Sequence, residues 1–126
     1  TRAHLTYPRK ITELPISQSA NALHAESASA EEDLSLVQSL LRSHRRALGA
    51  NPVGLNDEIT AALTGKNLKG AASLSARHPA ISKNGELLDR WGTPYRFHSV
   101  SAKLMEVRTA GEDKKYFTKD DISLLE

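Results

Sequence analysis

The sequence contains no cysteine, few aromatic residues and no long apolar run. The absence of cysteine excludes disulfide bonds, iron–sulfur clusters, thiolate zinc sites and a cysteine nucleophile. Because aromatic residues make up only 5% of the 126 residues, the core must consist mostly of Leu, Ile, Val and Ala. No apolar run approaches the ~20 residues that span a bilayer, so we predict no membrane span within this chain. An anchor or export signal removed from upstream of Thr1 is compatible with the sequence.

Charge of neither sign is in large excess. The sequence has 17 Lys and Arg residues and 15 Asp and Glu residues, which gives a formal net charge of +2. Nucleic-acid-binding domains usually carry a strongly basic surface, so we predict no nucleic-acid partner. A chain of this length is typical of one domain with a single core.

Short motifs of common active sites are also missing. The sequence has no G-x-S-x-G turn and no phosphate-binding glycine loop, and its five histidines form no H-x-x-x-H pair. We therefore predict no enzymatic activity and no catalytic residue. An alternative is a small exported hydrolase or ligand-binding domain, for which a deep pocket lined by His78, Asp89 or His98 would be evidence.

The first 28 residues are predicted to form an arm or linker, and residues 29–126 a single globular domain. Residues Thr1–Ser17 have two prolines and little periodicity, whereas Lys10–Leu14 has some strand character. Residues 17–29 are rich in Ser and Ala, which is typical of a linker or a weak helix. Two interpretations stay open: a flexible terminus, and an extended arm that packs on its own domain or on a neighbouring subunit.

The clearest helix is predicted from Ala30 to Leu48. Ser29 and Glu32 have the S-x-x-E spacing of a capping box, and Gly49 follows as a stop signal. Near its end lies His44, where a positive charge is favourable for the helix dipole. Apolar residues recur at spacings of three, four and seven, which predicts a stripe that faces the core. The stripe consists of Leu34, Val37, Leu41 and Leu48.

The second half of the chain is predicted to be mostly strands and turns. A short helix over Asp57–Thr64 would be capped by Asn56, and a small hairpin is expected around Asn84-Gly85. Two β-prone runs, Tyr95–Val100 and Leu104–Ala110, are joined by three residues, which is typical of a hairpin.

The tail Gly111–Glu126 is predicted as a charged loop that ends in a short turn. The order of elements then predicts an α+β fold, in which a long N-terminal helix packs on a small antiparallel sheet of three or four strands. The predicted core residues are Leu34, Val37, Leu41, Trp91, Tyr95 and Phe97.

One segment has an unusual pattern: Asp89-Arg90-Trp91-Gly92-Thr93-Pro94-Tyr95-Arg96-Phe97. Gly92 permits a tight turn, Pro94 fixes φ where a strand begins, and Asp89 is expected to accept hydrogen bonds from backbone N–H groups of the turn. The segments Thr109–Asp113 and Thr118–Ile122 follow it.

The combination D-x-W-G-x-P-Y and T-x-D-D-I resembles the C-terminal globular module of the major pseudopilins of type II secretion systems, over residues 86–122. The resemblance implies a pilin-like fold and a non-catalytic role in structure or assembly within the bacterial cell envelope. It also implies a periplasmic or extracellular location, a role in protein transport, and partners that are copies of this chain or other pseudopilin-like subunits. The family begins with a long apolar helix after a processing site, and this sequence contains neither.

In that family an acidic loop after the last strand binds calcium, which supports filament assembly. Position by position, the resemblance implies calcium ligands from the side chains of Asp113, Asp120 and Asp121 and from backbone carbonyls near Thr109, Ala110 and Thr118. Calcium takes six to eight oxygen ligands, so such a loop is chemically suitable. The nearby lysines, at positions 114, 115 and 119, add positive charge that weakens cation binding. The alternative is that Thr118 and Asp121 form a T-x-x-D capping box at the start of a helix.

A further alternative is a self-assembling extracellular fibre. In this hypothesis the arm Thr1–Ser17 adds a strand to the sheet edge of a neighbouring subunit.

Overall fold

The computed structural model describes residues 10–126, which form an α+β protein of three helices and five short strands. The elements in chain order are β1 (Thr12–Glu13), α1 (Ile16–Ser19), a 3-10 turn (Ala20–Ala22), α2 (Ala30–Leu48), α3 (Asn56–Leu63), β2 (Ala71–Ala72), β3 (Arg96–Ser101), β4 (Leu104–Thr109) and β5 (Ile122–Leu125). The predicted α+β class is confirmed. The longest helix, α2, has 19 residues and follows β1 and α1 in the chain.

The bounds predicted for α2 are confirmed, and its ends are held as its sequence indicates. The Ser29 Oγ accepts a hydrogen bond from the Glu32 N–H, and the Glu32 carboxylate accepts one from the Ser29 N–H, both at 3.1 Å. At the other end Gly49 adopts φ +95°, a left-handed conformation that favours glycine, and its N–H donates to the Arg45 carbonyl. Side chains therefore satisfy free backbone groups where the helix begins, and the backbone N–H of Gly49 does so where it ends.

Strands β3, β4 and β5 form an antiparallel sheet in that order. The predicted hairpin of β3 and β4 is confirmed, with Phe97 opposite Val107 and an irregularity between Ser99 and Ser101. The prediction of a final turn is wrong, because Ile122–Leu125 pairs with β4 as a third strand. Alternate residues of β5 face the core, so that two of its apolar side chains pack against the core cluster. This packing against the neighbouring strands stabilises the short strand.

One face of this sheet packs on α2 and forms the core. Buried apolar residues come from the helix stripe, from α3 and from alternate positions of β4. Of the six predicted core residues, Leu34, Val37, Leu41 and Tyr95 are buried. Phe97 is half-buried and packs against the core cluster. The prediction for Trp91 is wrong, since the indole is half-exposed and lies outside that cluster, in a turn next to Gly92 at φ +87°.

Helix α3 and the turn after it differ slightly from the prediction. Asn56 is the first residue of α3 and does not cap it; Leu55 precedes the helix instead. The Asn56 amide donates to the carbonyls of Leu87 and Tyr95, and its Oδ1 accepts from the Leu87 N–H at 2.7 Å. Asn56 thus satisfies backbone groups on two distant segments. The turn around Asn84-Gly85 is confirmed, and its flanks meet in a single bridge between Ile81 and Leu87.

Residues 10–28, the described part of the predicted arm, pack on the rest of the same chain. Strand β1 pairs in parallel with β2, and Ala20 and Leu23 are buried in the core cluster. The remainder of the predicted arm, including most of Thr1–Ser17, lies outside the described residues. None of the helices within residues 10–126 has the length and apolar character that crossing a bilayer requires.

Candidate functional site

The carboxylate of Asp89 joins the W-G-x-P-Y turn to the end of β4. Asp89 is only 3% exposed, and its Oδ1 accepts hydrogen bonds from the N–H groups of Trp91 and Thr93, at 3.0 and 2.9 Å. Its Oδ2 accepts one from the Thr109 hydroxyl at 2.7 Å. The prediction that Asp89 caps this turn is therefore confirmed. The two halves of the sequence pattern, 20 residues apart, are in direct contact through one buried carboxylate.

The segment 110–121, here called the acidic loop, connects β4 to β5 and touches the same turn. The Tyr116 hydroxyl donates a hydrogen bond to the Pro94 carbonyl. Gly111 adopts φ +80°, and a Cβ there would overlap the backbone of Asp120. The two ends of the acidic loop are therefore held together, and only glycine permits so close an approach.

Two of the predicted calcium ligands, Asp113 and Asp120, contact the same short stretch of the acidic loop. The Asp113 carboxylate accepts hydrogen bonds from the Thr118 hydroxyl at 2.6 Å and from the Lys115 N–H at 2.9 Å. These bonds, led by the one from Thr118, lower the pKa of Asp113. The Asp120 Oδ2 accepts from the Asp113 N–H at 3.0 Å. Asp113, Thr118 and Asp120 therefore form one hydrogen-bonded group.

The third acidic residue, Asp121, is directed towards a different set of groups. Its carboxylate accepts from the N–H groups of Phe117 and Thr118, and Arg108 Nη1 lies 3.4 Å from its Oδ2. The guanidinium of Arg108 also stacks on the exposed Phe117 ring, 4.9 Å from its centroid. The predicted helix start at Thr118 is wrong, because the residues after this turn form strand β5. Asp121 closes a turn that leads into a strand.

The other two predicted ligands, Thr109 and Ala110, are buried at the start of the acidic loop. Within residues 10–126 no three His, Asp or Glu side chains are arranged as a ready metal cluster. The donor chemistry nevertheless fits calcium, because the acidic loop offers carboxylate, hydroxyl and carbonyl oxygens. Asp113, Asp120 and nearby carbonyls are the residues that would hold the ion, since Asp121 is already paired with Arg108.

Beside this site the half-buried Arg90 forms an ion pair with the buried Asp33, which no local sequence pattern predicts. Arg90 Nε donates to Asp33 Oδ2 at 2.6 Å, and Arg90 Nη2 reaches Asp33 Oδ1 and the Ala25 carbonyl, both at 3.2 Å. The His24 N–H donates to Asp33, while its Nε2 lies 3.0 Å from the Tyr95 hydroxyl. The sequence shows only that Asp33 is an acidic residue in the first turn of α2 and that Arg90 is a cation within the D-x-W-G-x-P-Y segment. Because the two residues are 57 positions apart, no local pattern predicts that they pair.

The three residues of the alternative pocket hypothesis have separate surroundings. His78 is buried, with Nε2 2.8 Å from the Ala20 carbonyl, and its Nδ1 accepts from the Ala80 N–H at 3.0 Å. His98 is exposed on β3, near Glu106. Asp89 is committed to the turn described above. These contacts give His78 and Asp89 structural roles.

No protein-family model, curated protein or solved structure matches this chain. The described residues form an α+β domain in which the buried carboxylate of Asp89 ties a surface turn to the end of β4, where the acidic loop begins.

Proposed function

We propose that this chain is a non-catalytic structural module for assembly in the bacterial cell envelope, similar to a pseudopilin and located in the periplasm or outside the cell. The observation that carries the proposal is the contact between the W-G-x-P-Y turn and the acidic loop. The Tyr116 hydroxyl of the acidic loop donates to the Pro94 carbonyl of the turn, and Thr109, the last residue of β4 before the loop, donates to Asp89. A turn and a loop joined in this way form one rigid surface, which is what an assembly module needs.

The partners in this proposal are copies of the chain or other pseudopilin-like subunits. Helix α2 covers one face of the sheet, whereas the opposite face carries exposed side chains such as Val100, Phe117 and Leu125. Exposed apolar side chains of this size favour contact with another protein surface. Assembly through the sheet side of the domain is therefore physically plausible.

Calcium is the proposed cofactor, bound by the acidic loop. Asp113 and Asp120 are the principal ligands, with Asp121, Thr118 and backbone carbonyls near residues 109 and 110 as further candidates. Hydrogen bonds from Thr118 and Lys115 lower the pKa of Asp113, which favours the ionised carboxylate that calcium ligation requires. A bound calcium ion would offset the repulsion between the carboxylates of Asp113 and Asp120 and hold the acidic loop closed against the turn.

The test of calcium binding is thermal unfolding with excess calcium and with chelator. We expect calcium to raise the melting temperature by about 5–10 °C, since a ligand at a hundred times its Kd adds about 2.7 kcal/mol. Asp113→Asn should abolish most of this increase. Glu112→Gln is the matched control, because Glu112 is an exposed acidic residue of the same loop. Equal melting temperatures with calcium and with chelator would contradict the calcium site.

Assembly is tested separately, by sedimentation velocity and electron microscopy of concentrated protein with calcium. We expect discrete oligomers or filaments that dissociate at low concentration. The same measurement on a variant without residues 1–9 tests the fibre alternative, in which the arm joins subunits. Loss of assembly only in that variant would favour the fibre. A monomer under every condition would contradict both assembly proposals.

A further inference from the structure

Strand β3 lies at one edge of the three-stranded sheet and is exposed. Within residues 10–126 it pairs with β4 alone, and α2 packs on β4 and β5. Phe97 is half-buried, and the other five residues of β3 are exposed. An exposed strand edge presents unpaired backbone groups to which another strand can bind. Strand β3 is therefore a candidate interaction surface.

The backbone hydrogen bonds of β4 show which groups of β3 face the open side. The Met105 N–H donates to the Glu126 carbonyl at 2.8 Å and the Glu126 N–H donates to the Met105 carbonyl at 3.2 Å, so the backbone groups of Met105 point away from β3. In an antiparallel sheet these groups alternate between the two sides of a strand. Those of Glu106 therefore point towards β3, where they pair with His98. The backbone groups of His98 are thus used within the sheet.

The residues on either side of it, Phe97 and Ser99, direct their N–H and C=O groups away from β4. Tyr95 follows the same alternation, since its N–H donates to the Leu87 carbonyl at 3.0 Å on that side. Within residues 10–126 the outward backbone groups of Phe97 and Ser99 have no such partner. Two N–H groups and two carbonyls are therefore free along residues 97–99, here called the open edge.

The free groups of the open edge match a second copy of the same edge. If two open edges pair antiparallel around a two-fold axis at His98, Phe97 of each copy lies opposite Ser99 of the other. All the free groups of both copies are then used. Phe97 packs against the core cluster, and Ser99 shares its face of the strand, so α2 of both copies lies on the same side of one continuous sheet.

The opposite edge of the sheet does not fit the open edge in this way. By the same alternation, the outward backbone groups of β5 belong to Ser123 and Leu125. Because Ile122 and Leu124 face the core, Ser123 and Leu125 lie on the other face of the sheet. Antiparallel pairing of β3 with β5 of another copy would therefore place the two α2 helices on opposite faces and interrupt the core-facing side.

Charge favours the register centred on His98. In that register Arg96 lies opposite Val100 of the other copy, so no like charges face each other directly. Val100 is 53% exposed, and the methylene groups of Arg96 would cover it. A register centred one residue earlier would place Arg96 opposite His98 and would need the N–H of Tyr95, which is already bonded.

The sequence of residues 1–9 is less suitable as the occupant. It contains Arg2 and Arg9 and no acidic residue, whereas the open edge lies next to the exposed Arg96. Like charges would therefore oppose the binding of this segment to the open edge.

We propose that two copies of this chain pair through their open edges, antiparallel and with His98 on a two-fold axis, to form one six-stranded sheet. The inference rests on the proposed function only in taking the partner to be a second copy. An edge this short buries less than the ~1,200 Å² of a stable interface, so the pair is transient, with a Kd of about 0.1–1 mM.

The first test uses the fact that a residue on a two-fold axis faces its own copy. The His98 side chain is 66% exposed, so charged substitutions are compatible with folding. His98→Lys and His98→Glu each place like charges opposite each other, so each variant alone should pair at least about tenfold more weakly than the unaltered chain. An equimolar mixture of the two variants should restore pairing. Sedimentation equilibrium up to about 1 mM protein measures all four samples.

Hydrogen exchange checks the backbone pairing itself. The N–H groups of Phe97 and Ser99 should exchange about twofold more slowly when the protein concentration reaches the Kd, because half of the chains are then paired. The N–H of His98 bonds within the sheet, so its exchange should not depend on concentration. Only an antiparallel strand at the open edge predicts this alternation.

Ser123→Lys and Ser123→Glu are the matched controls, since Ser123 is an exposed residue on the other edge of the same sheet. Both should pair like the unaltered chain. Failure of the His98→Lys and His98→Glu mixture to restore pairing, or equal weakening by the Ser123 variants, would overturn the open edge as the interface. Oligomers that persist in His98→Lys would do the same but leave the proposed assembly function standing. Dimers that never form larger assemblies would contradict that function and support the open edge.

Discussion

The carboxylate of Asp89 holds together two parts of the chain, the W-G-x-P-Y turn and the end of β4. Its carboxylate receives two backbone N–H groups and one hydroxyl, so all three donors are satisfied by a residue that is itself buried. Removing a single donor from such a group costs more than the bond itself contributes, because part of the charge then remains unsolvated. The stability of the turn should therefore depend on the Thr109 hydroxyl as well as on Asp89 itself.

Thr109→Val tests this dependence. The substitution keeps the shape of the side chain but removes the hydroxyl that donates to Asp89, so we expect a loss of about 2 kcal/mol in the free energy of unfolding. Urea unfolding measures it. Thr93→Val is the matched control, because Thr93 contacts Asp89 through its backbone N–H, and its effect should stay within about 0.5 kcal/mol. Equal losses in the two variants would show that the Thr109 hydroxyl contributes nothing specific.

Two histidines, the half-buried His24 and the buried His44, predict how stability depends on pH. Burial is the main cause that lowers the pKa of His24 and of His44 below the ordinary value of 6.5. The unfolded chain therefore takes up protons near pH 6.5, whereas the folded chain does so only at lower pH.

We expect stability to fall as the pH drops below about 6.5, with each histidine contributing at most about 1.4 kcal/mol per pH unit. Urea unfolding between pH 7.5 and about pH 5 measures the slope. His44→Gln should reduce it, while His98→Gln, at an exposed position, should leave it unchanged. A slope that is identical in all three proteins would contradict this assignment.

At the scale of elements, α2 and the sheet are joined by one polar side chain within an apolar interface. Gln38 is fully buried, and its Nε2 donates to the carbonyls of Met105 and Leu124, both at 2.8 Å. These carbonyls belong to two adjacent strands, so the amide fixes the helix against both of them. Few side chains can replace a buried residue that donates two hydrogen bonds and carries no charge.

Gln38→Glu tests that constraint. The introduced carboxylate would face two carbonyl oxygens in the core and could donate to neither while ionised, so we expect a loss of about 3 kcal/mol at neutral pH. The loss should shrink in acid, because a protonated carboxyl can donate one hydrogen bond. Gln18→Glu, at an exposed position on α1, is the control for the charge alone. A loss no greater than that of the control would show that Gln38 does not join the helix to the sheet.

The elements that could be predicted from the sequence are those with local signals. The capping box and the apolar stripe predict α2. The alternation of apolar and polar residues, together with a short connection, predicts β3 and β4. Strand β5 was missed because its stability comes from pairing with β4, which no local pattern records. Asn56 was assigned to a cap for a similar reason, since its actual partners are 31 and 39 residues away.

In the candidate site, too, contacts between residues close in sequence could be predicted, and contacts between distant residues could not. The role of Asp89 within its own turn could be predicted, since its N–H partners lie two and four residues on. Its bond to Thr109, which is 20 residues away, could not be predicted, and no local pattern distinguishes calcium ligation from helix capping in the acidic loop. The helix is excluded because β5 begins at Ile122. Calcium binding stays a prediction.

At the scale of the whole molecule, the segment before α2 is held to the body by charged and polar contacts as well as by apolar ones. Asp33 receives the His24 N–H and the Arg90 guanidinium, and Arg90 also donates to the Ala25 carbonyl. Arg90 therefore connects Asp33, at the start of α2, to Ala25, while Asp33 itself holds His24. The order of residues 10–28 should depend on it.

Arg90→Gln tests whether this ion pair holds the N-terminal segment. The buried Asp33 would lose its cation, so we expect a loss of about 3 kcal/mol in the free energy of unfolding. Because Ala25 loses its donor too, residues 10–28 should also open locally, with faster hydrogen exchange and earlier proteolysis than the sheet. Arg77→Gln, at an exposed arginine, is the matched control and should change neither. If exchange in residues 10–28 is unaffected while global stability falls, the ion pair stabilises the core but does not hold the segment.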